Sequence, residues 1–159
     1  MTRKIIVTLL FLSSLLRADF FEKESLSLGI VAGAGSSNND NYFIAGLSGD
    51  YFILDGLSVG GAYRGWFGAD PSQHQLTLSS SYYLSLSNKY HPYFGVFTRE
   101  TFIDKDDYNS YGGRVGLAMT MSRNSYVSVG YAYEKYTNCK EILIECSSAY
   151  PEFVFSLSF

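Results

Sequence analysis

The chain has 159 residues, with 14 Tyr, 12 Phe and 15 Gly against only 3 Pro and 17% charged residues. Its net charge of −3 provides no basic surface, so we expect no nucleic-acid partner. Aromatic residues, Gly and Ser dominate where Leu, Ala, Glu and Lys would build helices, which argues against a helical soluble domain.

Residues 1–18 have the layout of a secretory signal peptide. Arg3 and Lys4 precede an apolar run that continues to Leu16, and Ala18 is a small residue ahead of the acidic stretch DFFEKE. The run is shorter than the about 20 residues that a transmembrane helix needs. We therefore expect an exported chain with one mature domain, residues 19–159.

Beyond the leader, apolar and polar residues alternate in eight segments that turn-forming residues separate. The predicted strands cover residues 25–33, 42–53, 57–67, 75–86, 93–103, 110–121, 126–136 and 150–159. A period of two residues is that of a β-strand whose two faces meet different surroundings. The predicted fold class is therefore all-β, with an even number of antiparallel strands.

The two faces of these strands differ in an unusual way. In the seventh segment Val127, Val129 and Tyr131 share one face, and Ser128 and Gly130 share the other. A soluble β-sandwich would carry bulky residues inside and many charged residues outside. Here one face carries too many large apolar residues, and the residues of the other face are too small and too weakly charged for a surface in contact with water. A closed transmembrane barrel explains both faces, because its apolar face meets lipid and its narrow lumen holds small and polar side chains.

The connections between the segments alternate in length. Residues 54–56 and 122–125 form tight turns, with Gly56 suited to a left-handed position, and residues 87–92 form a somewhat longer one. The longer, more polar connections at the opposite strand ends are 34–41, 68–74, 104–109 and 137–149. Short periplasmic turns and long external loops are typical of outer-membrane barrels. This pattern predicts that both termini lie in the periplasm.

The stretches HPYFGVF, YGGRVGLAMTM, YVSVGYAYEKY and FVFSLSF, together with the leader, resemble the small outer-membrane β-barrel proteins of Gram-negative bacteria, the outer membrane protein A/X-like type. The resemblance implies an eight-stranded up-and-down transmembrane barrel with membrane lipid, lipopolysaccharide and the barrel assembly machinery as partners. The final strand resembles the signal that this machinery reads, with Tyr150, Phe155 and Phe159 as its counterpart. The resemblance implies little about activity, since such barrels serve as anchors, adhesins, closed structural proteins and lipid-modifying enzymes.

A hydrolase acting on lipid A is the alternative function, and it would need a Ser nucleophile beside a His base. His74 stands at the outer end of the fourth segment, with Ser79 and Ser81 further along the same segment. His91 falls in the turn beside Pro92. Neither shows a His-x-Ser arrangement, so we expect no catalytic residues and interpret His74 as a loop-edge residue in contact with water or headgroups.

Cys139 and Cys146 both fall in the last long loop. A pair of cysteines in an exported chain predicts a disulfide rather than a metal site, because no His or third Cys lies nearby to complete a tetrahedron. The apolar residues from Ile142 to Ile144 between them either cap the barrel mouth or touch the headgroups, or they form a contact surface for a host or neighbouring molecule.

Acidic residues on the outer side are Asp40, Asp104, Asp106 and Asp107. They match the spacing of a calcium loop poorly, so we interpret them as solvated charge and expect neither a metal ion nor a cofactor.

The turns also predict which inward-facing residues of neighbouring strands lie opposite each other. A three-residue loop 123–125 sets Arg114 opposite Glu134, and the loop 54–56 points Arg64 inward opposite Gly46, with Asp50 on the same face.

Glu152 is a further inward residue, while the fifth segment leaves open whether Arg99 or Glu100 joins it. Eight strands leave room for side chains but not for a water channel, and unpaired charges there would be costly. The sequence therefore predicts a monomeric outer-membrane barrel with a plugged lumen and a structural or surface-interaction role, in adhesion or envelope integrity. Its loops remain available to an extracellular ligand.

Overall fold

The computed structural model describes residues 20–37, 40–68, 73–103, 106–137 and 146–159. The predicted leader, Cys139, Asp104 and the Ile142–Ile144 pair lie outside these residues. Among the residues described, no helix is long and apolar enough to cross a membrane.

Eight strands close into a single antiparallel barrel in which each strand pairs with its neighbours in sequence and β1 pairs with β8. The strands are β1 (Leu26–Ser37), β2 (Asp40–Leu54), β3 (Leu57–Phe67), β4 (Gln73–Tyr83), β5 (Tyr90–Ile103), β6 (Asp106–Ser122), β7 (Ser125–Tyr136) and β8 (Ser147–Ser158). All eight predicted segments are strands, and the predicted bounds of β3 are those observed. The prediction of an eight-stranded antiparallel barrel is confirmed.

Alternation along the strands separates the two faces of the barrel wall. Leu47, Leu78, Val96 and Val115 point outward and are between 61% and 66% exposed. Their chain neighbours point into the lumen and are more buried. Each strand has at least the about 9–11 residues that a tilted strand needs to cross a bilayer.

The two ends of the barrel differ. Tight turns at Asp55–Gly56 and Arg123–Asn124 lie at one end, which we call the short-turn end, and the opposite end is the loop end. Gly56 has φ of 76°, the left-handed conformation that glycine adopts without a steric penalty.

The β2–β3 hairpin has the predicted register, with Gly46 opposite Arg64. The predicted register of the β6–β7 hairpin is wrong. The turn has two residues rather than three, with Ser122 opposite Ser125, and an irregularity between Thr120 and Ser122 shifts the pairing by one more residue. Thr120 therefore lies opposite Tyr126, and Arg114 lies opposite Ala132. A bulge inserts one unpaired residue into a strand and changes the register of everything beyond it.

Candidate functional site in the barrel lumen

Six charged side chains of the described residues line the lumen, three of each sign. They are Arg64, Arg99, Arg114, Asp50, Glu134 and Glu152. Four of them are nearly or fully buried: Arg64, Arg99, Glu134 and Glu152. Buried charges are stable only when they are paired and hydrogen-bonded, so their mutual arrangement determines whether the lumen is stable.

The first ion pair joins Arg64 of β3 to Glu152 of β8. The Nη1 group of Arg64 donates to Oε1 of Glu152. These strands are not neighbours in the barrel, so the pair crosses the lumen and ties two separate parts of the wall together.

The second ion pair joins Arg99 of β5 to Glu134 of β7 across the intervening strand β6. Arg99 also donates to the Tyr150 hydroxyl and, through Nε, to Thr77 Oγ1 at 2.9 Å. The second carboxylate oxygen of Glu134 accepts a hydrogen bond from the Tyr136 hydroxyl at 2.7 Å. Charge-assisted bonds in a low-dielectric interior are stronger than neutral ones, so this network fixes the loop half of the lumen.

Arg114 and Asp50 occupy the centre of the lumen, on the wall of a cavity of about 20 Å³. Ser48, Ser79 and Ser128 also line it. A cavity of this size holds about one water molecule, and its polar wall offers that water several hydrogen-bond partners.

Two aromatic clusters lie in the lumen, one on each side of the charged residues. Towards the loop end Trp66 packs edge-on against Tyr150, with ring centroids 5.6 Å apart, and donates from Nε1 to Gln75 Oε1 at 2.8 Å. Towards the short-turn end Tyr83 packs against Tyr93, with ring centroids 5.2 Å apart. The described lumen side chains are thus arranged in layers, with aromatic residues on both sides of the charged ones.

The structure places each predicted lumen residue on the inward face but pairs them differently. The predicted pairing of Arg114 with Glu134 is wrong, because the turn is one residue shorter than predicted and the bulge between Thr120 and Ser122 shifts the register by one more. Glu134 instead binds Arg99.

Arg99 is the lumen residue that the sequence left open. Phe97 and Phe102 have opposite parity and the charges at 99 and 100 are adjacent, so alternation alone does not orient β5. The structure buries Phe97 and Arg99 and exposes Phe102 and Glu100. The signal that could have decided it is Gly112, which lies opposite Phe97 and leaves space for an inward ring.

His74 points outward, where its ring stacks on that of Tyr63. A hydrogen bond of 2.9 Å joins His74 Nδ1 and the Tyr63 hydroxyl. Ser79 and Ser81 have the opposite parity on β4 and face the lumen. The structure therefore does not bring His74 together with the serines weighed for a hydrolase. The position opposite His74 on β3 is Gly65 and the one on β5 is Phe102, neither of them a nucleophile.

The prediction that His91 lies in a turn is wrong. Strand β5 begins at Tyr90, and His91 points into the lumen, where it is buried. Pro92 faces outward and its carbonyl accepts a hydrogen bond from the Leu84 amide at 2.8 Å. Pro92 lacks an N–H group, but its carbonyl still pairs with Leu84, so β5 can begin at Tyr90, two residues before the proline.

The residues proposed as an assembly signal do not share one face. Phe155 points outward and Tyr150 points inward, where it binds Arg99. Phe159 pairs with Leu26 through two backbone hydrogen bonds and so completes the seam between β8 and β1. Of the predicted disulfide only Cys146 is described, and its carbonyl accepts a hydrogen bond from the Tyr136 amide at 3.0 Å. The disulfide itself stays a prediction.

No model of a known protein family matches the sequence, and no curated protein is similar to it. Solved structures do match. The N-terminal β-barrel domain of Pseudomonas aeruginosa OprF has a TM-score of 0.62 at 13% identity, covering 86% of this chain and 98% of that one. Neisserial surface protein A has a TM-score of 0.61 at 14% identity, covering 84% and 94%.

Ail, the attachment invasion locus protein of Yersinia pestis, has a TM-score of 0.52 at 13% identity, covering 87% of this chain and 99% of that one. At such identities the likeness concerns the fold. It confirms, at that level, the resemblance carried by the alternating segments: this chain has the fold of the small eight-stranded outer-membrane β-barrels.

Proposed function

We propose that the chain is an integral outer-membrane barrel with a side-chain-filled lumen and a structural or surface-contact role in the envelope. The observation that carries the proposal is that the barrel wall is apolar on the outside and charged on the inside, the reverse of a soluble protein. Large apolar side chains are exposed on the outside of every strand, while buried ion pairs cross the inside. In water this apolar outer face would drive aggregation, whereas in a bilayer it is in favourable contact with lipid.

The orientation follows from the connections. Short turns face the periplasm in outer-membrane barrels, so the short-turn end and both chain termini belong there. The loop end then meets lipopolysaccharide and the exterior. Lipid, lipopolysaccharide and the barrel assembly machinery are the partners in this proposal, the barrel is a monomer, and the loops offer the surface for any extracellular ligand.

The filled lumen supports a closed barrel rather than a porin. Two ion pairs, two aromatic clusters and a cavity for about one water molecule occupy the space along the axis. The proposed role is also non-catalytic, since the serines weighed as partners of His74 lie on the other face of β4.

Fractionation of expressing cells tests the location. Folded outer-membrane barrels resist detergent until boiled, so the protein should sediment with the outer membrane and change its gel mobility on heating. Recovery of the folded chain in the soluble periplasmic fraction would contradict the proposal.

Planar bilayers test the closed lumen. Homogeneous folded protein should give no sustained large-conductance channel, and steady porin-like currents would contradict a filled lumen. A parallel assay of purified wild type and His74→Gln for lipid A or phospholipid cleavage tests the non-catalytic role. Cleavage by the wild type that His74→Gln abolishes would overturn it in favour of the hydrolase.

A further inference from the structure

The chain does not enter β1 directly but first folds across the short-turn end of the barrel. Residues 20–24, which we call the N-terminal plug, are held there by backbone hydrogen bonds to the β2–β3 hairpin. The Gly56 amide donates to the Phe21 carbonyl at 2.6 Å, and the Glu24 amide donates to the Phe52 carbonyl at 2.7 Å. The Lys23 amide donates to Asp55 Oδ1 at 2.9 Å.

The Phe21 side chain enters the barrel and is only 4% exposed. Its ring stacks on Tyr83 at a centroid distance of 4.5 Å and lies 4.6 Å from the ring of His91. Tyr126 at 5.1 Å and Phe52 at 5.6 Å complete the surroundings. These four rings form a cradle that encloses one aromatic side chain.

The backbone of the plug is in a conformation that it would not adopt alone. Phe21 and Glu24 have φ of 66° and 70°, and they are the non-glycine residues with positive φ in the described chain. The left-handed conformation costs a non-glycine residue about 1–2 kcal/mol. Such strain persists only where surrounding contacts overcome it, so the cradle selects this conformation of the plug.

The cradle depends on the complete barrel. Phe52 belongs to β2, Tyr83 to β4, His91 to β5 and Tyr126 to β7, so its walls come from strands that are far apart in sequence. None of these strands is a neighbour of another in the barrel except β4 and β5. The four rings therefore meet only after the strands between them have paired.

We propose that the cradle is a binding site for an aromatic side chain, that its ligand is Phe21 of the same chain, and that the plug docks after the barrel has closed. The plug then seals the short-turn end and acts as a latch on the finished barrel. This inference concerns the lumen and its order of assembly, and it holds whatever role the loop end serves.

Kinetics distinguish a late latch from a part of the folding nucleus. An interaction absent from the transition state affects unfolding and leaves the folding rate unchanged. For Phe21→Ala we expect unfolding from lipid vesicles to become roughly tenfold faster or more, with folding within about twofold of wild type. A comparable slowing of folding would overturn late docking. Phe21→Leu allows the same comparison at smaller amplitude if Phe21→Ala does not fold.

A local readout tests the binding site itself. Hydrogen exchange at the Gly56 amide should accelerate in Phe21→Ala, because this amide donates to the Phe21 carbonyl, while the ladder amides of β6 and β7 stay protected. Lys23→Ala is the matched control, since its side chain is exposed and only its backbone contacts the barrel. Unchanged Gly56 exchange in Phe21→Ala would show that the ring does not hold the plug in place.

Discussion

Arg99 and Glu134 form a buried ion pair between β5 and β7, two strands that are not hydrogen-bonded to each other. Both side chains are shielded from solvent, and each has a second hydrogen-bonding partner, Thr77 of β4 for Arg99 and Tyr136 of the same strand for Glu134. Removal of one member of a buried pair leaves an uncompensated charge, which costs about 3–5 kcal/mol.

Glu134→Ala should therefore lower the free energy of unfolding by about 3–5 kcal/mol, measured by urea unfolding in lipid vesicles. A double-mutant cycle locates the partner. The observed register predicts strong coupling of Glu134 to Arg99 and weak coupling to Arg114, because Arg114 lies opposite Ala132. Stronger coupling of Glu134 to Arg114 than to Arg99 would support the register that a three-residue loop 123–125 predicts.

The difference between these two registers shows how far the sequence can predict the lumen. Alternation assigns the faces of β6 and β7 correctly, since lipid and lumen impose it at every residue. The observed pairing of Arg114 differs from the predicted one by two residues, one from the two-residue turn and one from the bulge near Thr120, and neither has a compositional signal there. The β2–β3 hairpin has the same irregularity, between Phe52 and Leu54, and there the predicted loop 54–56 starts at the right residue, so the predicted pairing of Gly46 with Arg64 holds.

Phe21 and His91 were missed for a different reason. Adjacent Phe20 and Phe21 do not alternate with polar residues as in a strand, and the four other residues of the stretch DFFEKE are charged. By its pattern the stretch is indistinguishable from a solvated linker. Its burial depends on four rings that only the closed barrel assembles. Contacts of this kind are tertiary, and no local signal predicts them.

Tyr93 lies over two inward glycines that face each other, Gly116 of β6 and Gly130 of β7. A Cβ atom at Gly116 would lie 2.6 Å from Cε1 of Tyr93, and one at Gly130 would meet the Tyr93 hydroxyl end of the ring. Gly130→Val should therefore displace the ring and destabilise the barrel by about 1–3 kcal/mol, as overpacking does. Thermal unfolding in detergent micelles measures the loss.

Gly113→Ala is the matched control for this substitution. Its Cβ would point outward, 3.6 Å from the Gly95 carbonyl oxygen, an ordinary contact. We expect a change within about 0.5 kcal/mol. Equal destabilisation by Gly113→Ala and Gly130→Val would mean that strand glycines act through backbone freedom and not through the space they leave for Tyr93.

The predicted disulfide between Cys139 and Cys146 should be formed in protein isolated from the cell envelope, because an exported chain meets an oxidising compartment. Thiol trapping under denaturing conditions should label neither cysteine before reduction and both afterwards. Closing so short a loop stabilises by roughly 2–3 kcal/mol in the chain-entropy model. The barrel should nevertheless keep its heat-modifiable mobility after reduction, since β7 and β8 pair along their length and the described lumen ion pairs lie on strands. Free thiols in folded envelope material would refute the pairing.

Leu78 lies at the middle of β4 and points outward from the barrel wall. If the wall spans a bilayer, this position is near the midplane, where an arginine on the lipid face costs about 2–4 kcal/mol. Leu78→Arg should lower the unfolding free energy in lipid vesicles by that amount. Leu84→Arg is the matched control, because Leu84 is also outward and exposed but follows the end of β4 at the short-turn end. Near an interface the same change costs only about 0–1 kcal/mol. The depth dependence is the decisive result, since a surface that faces water would tolerate arginine equally well at both positions.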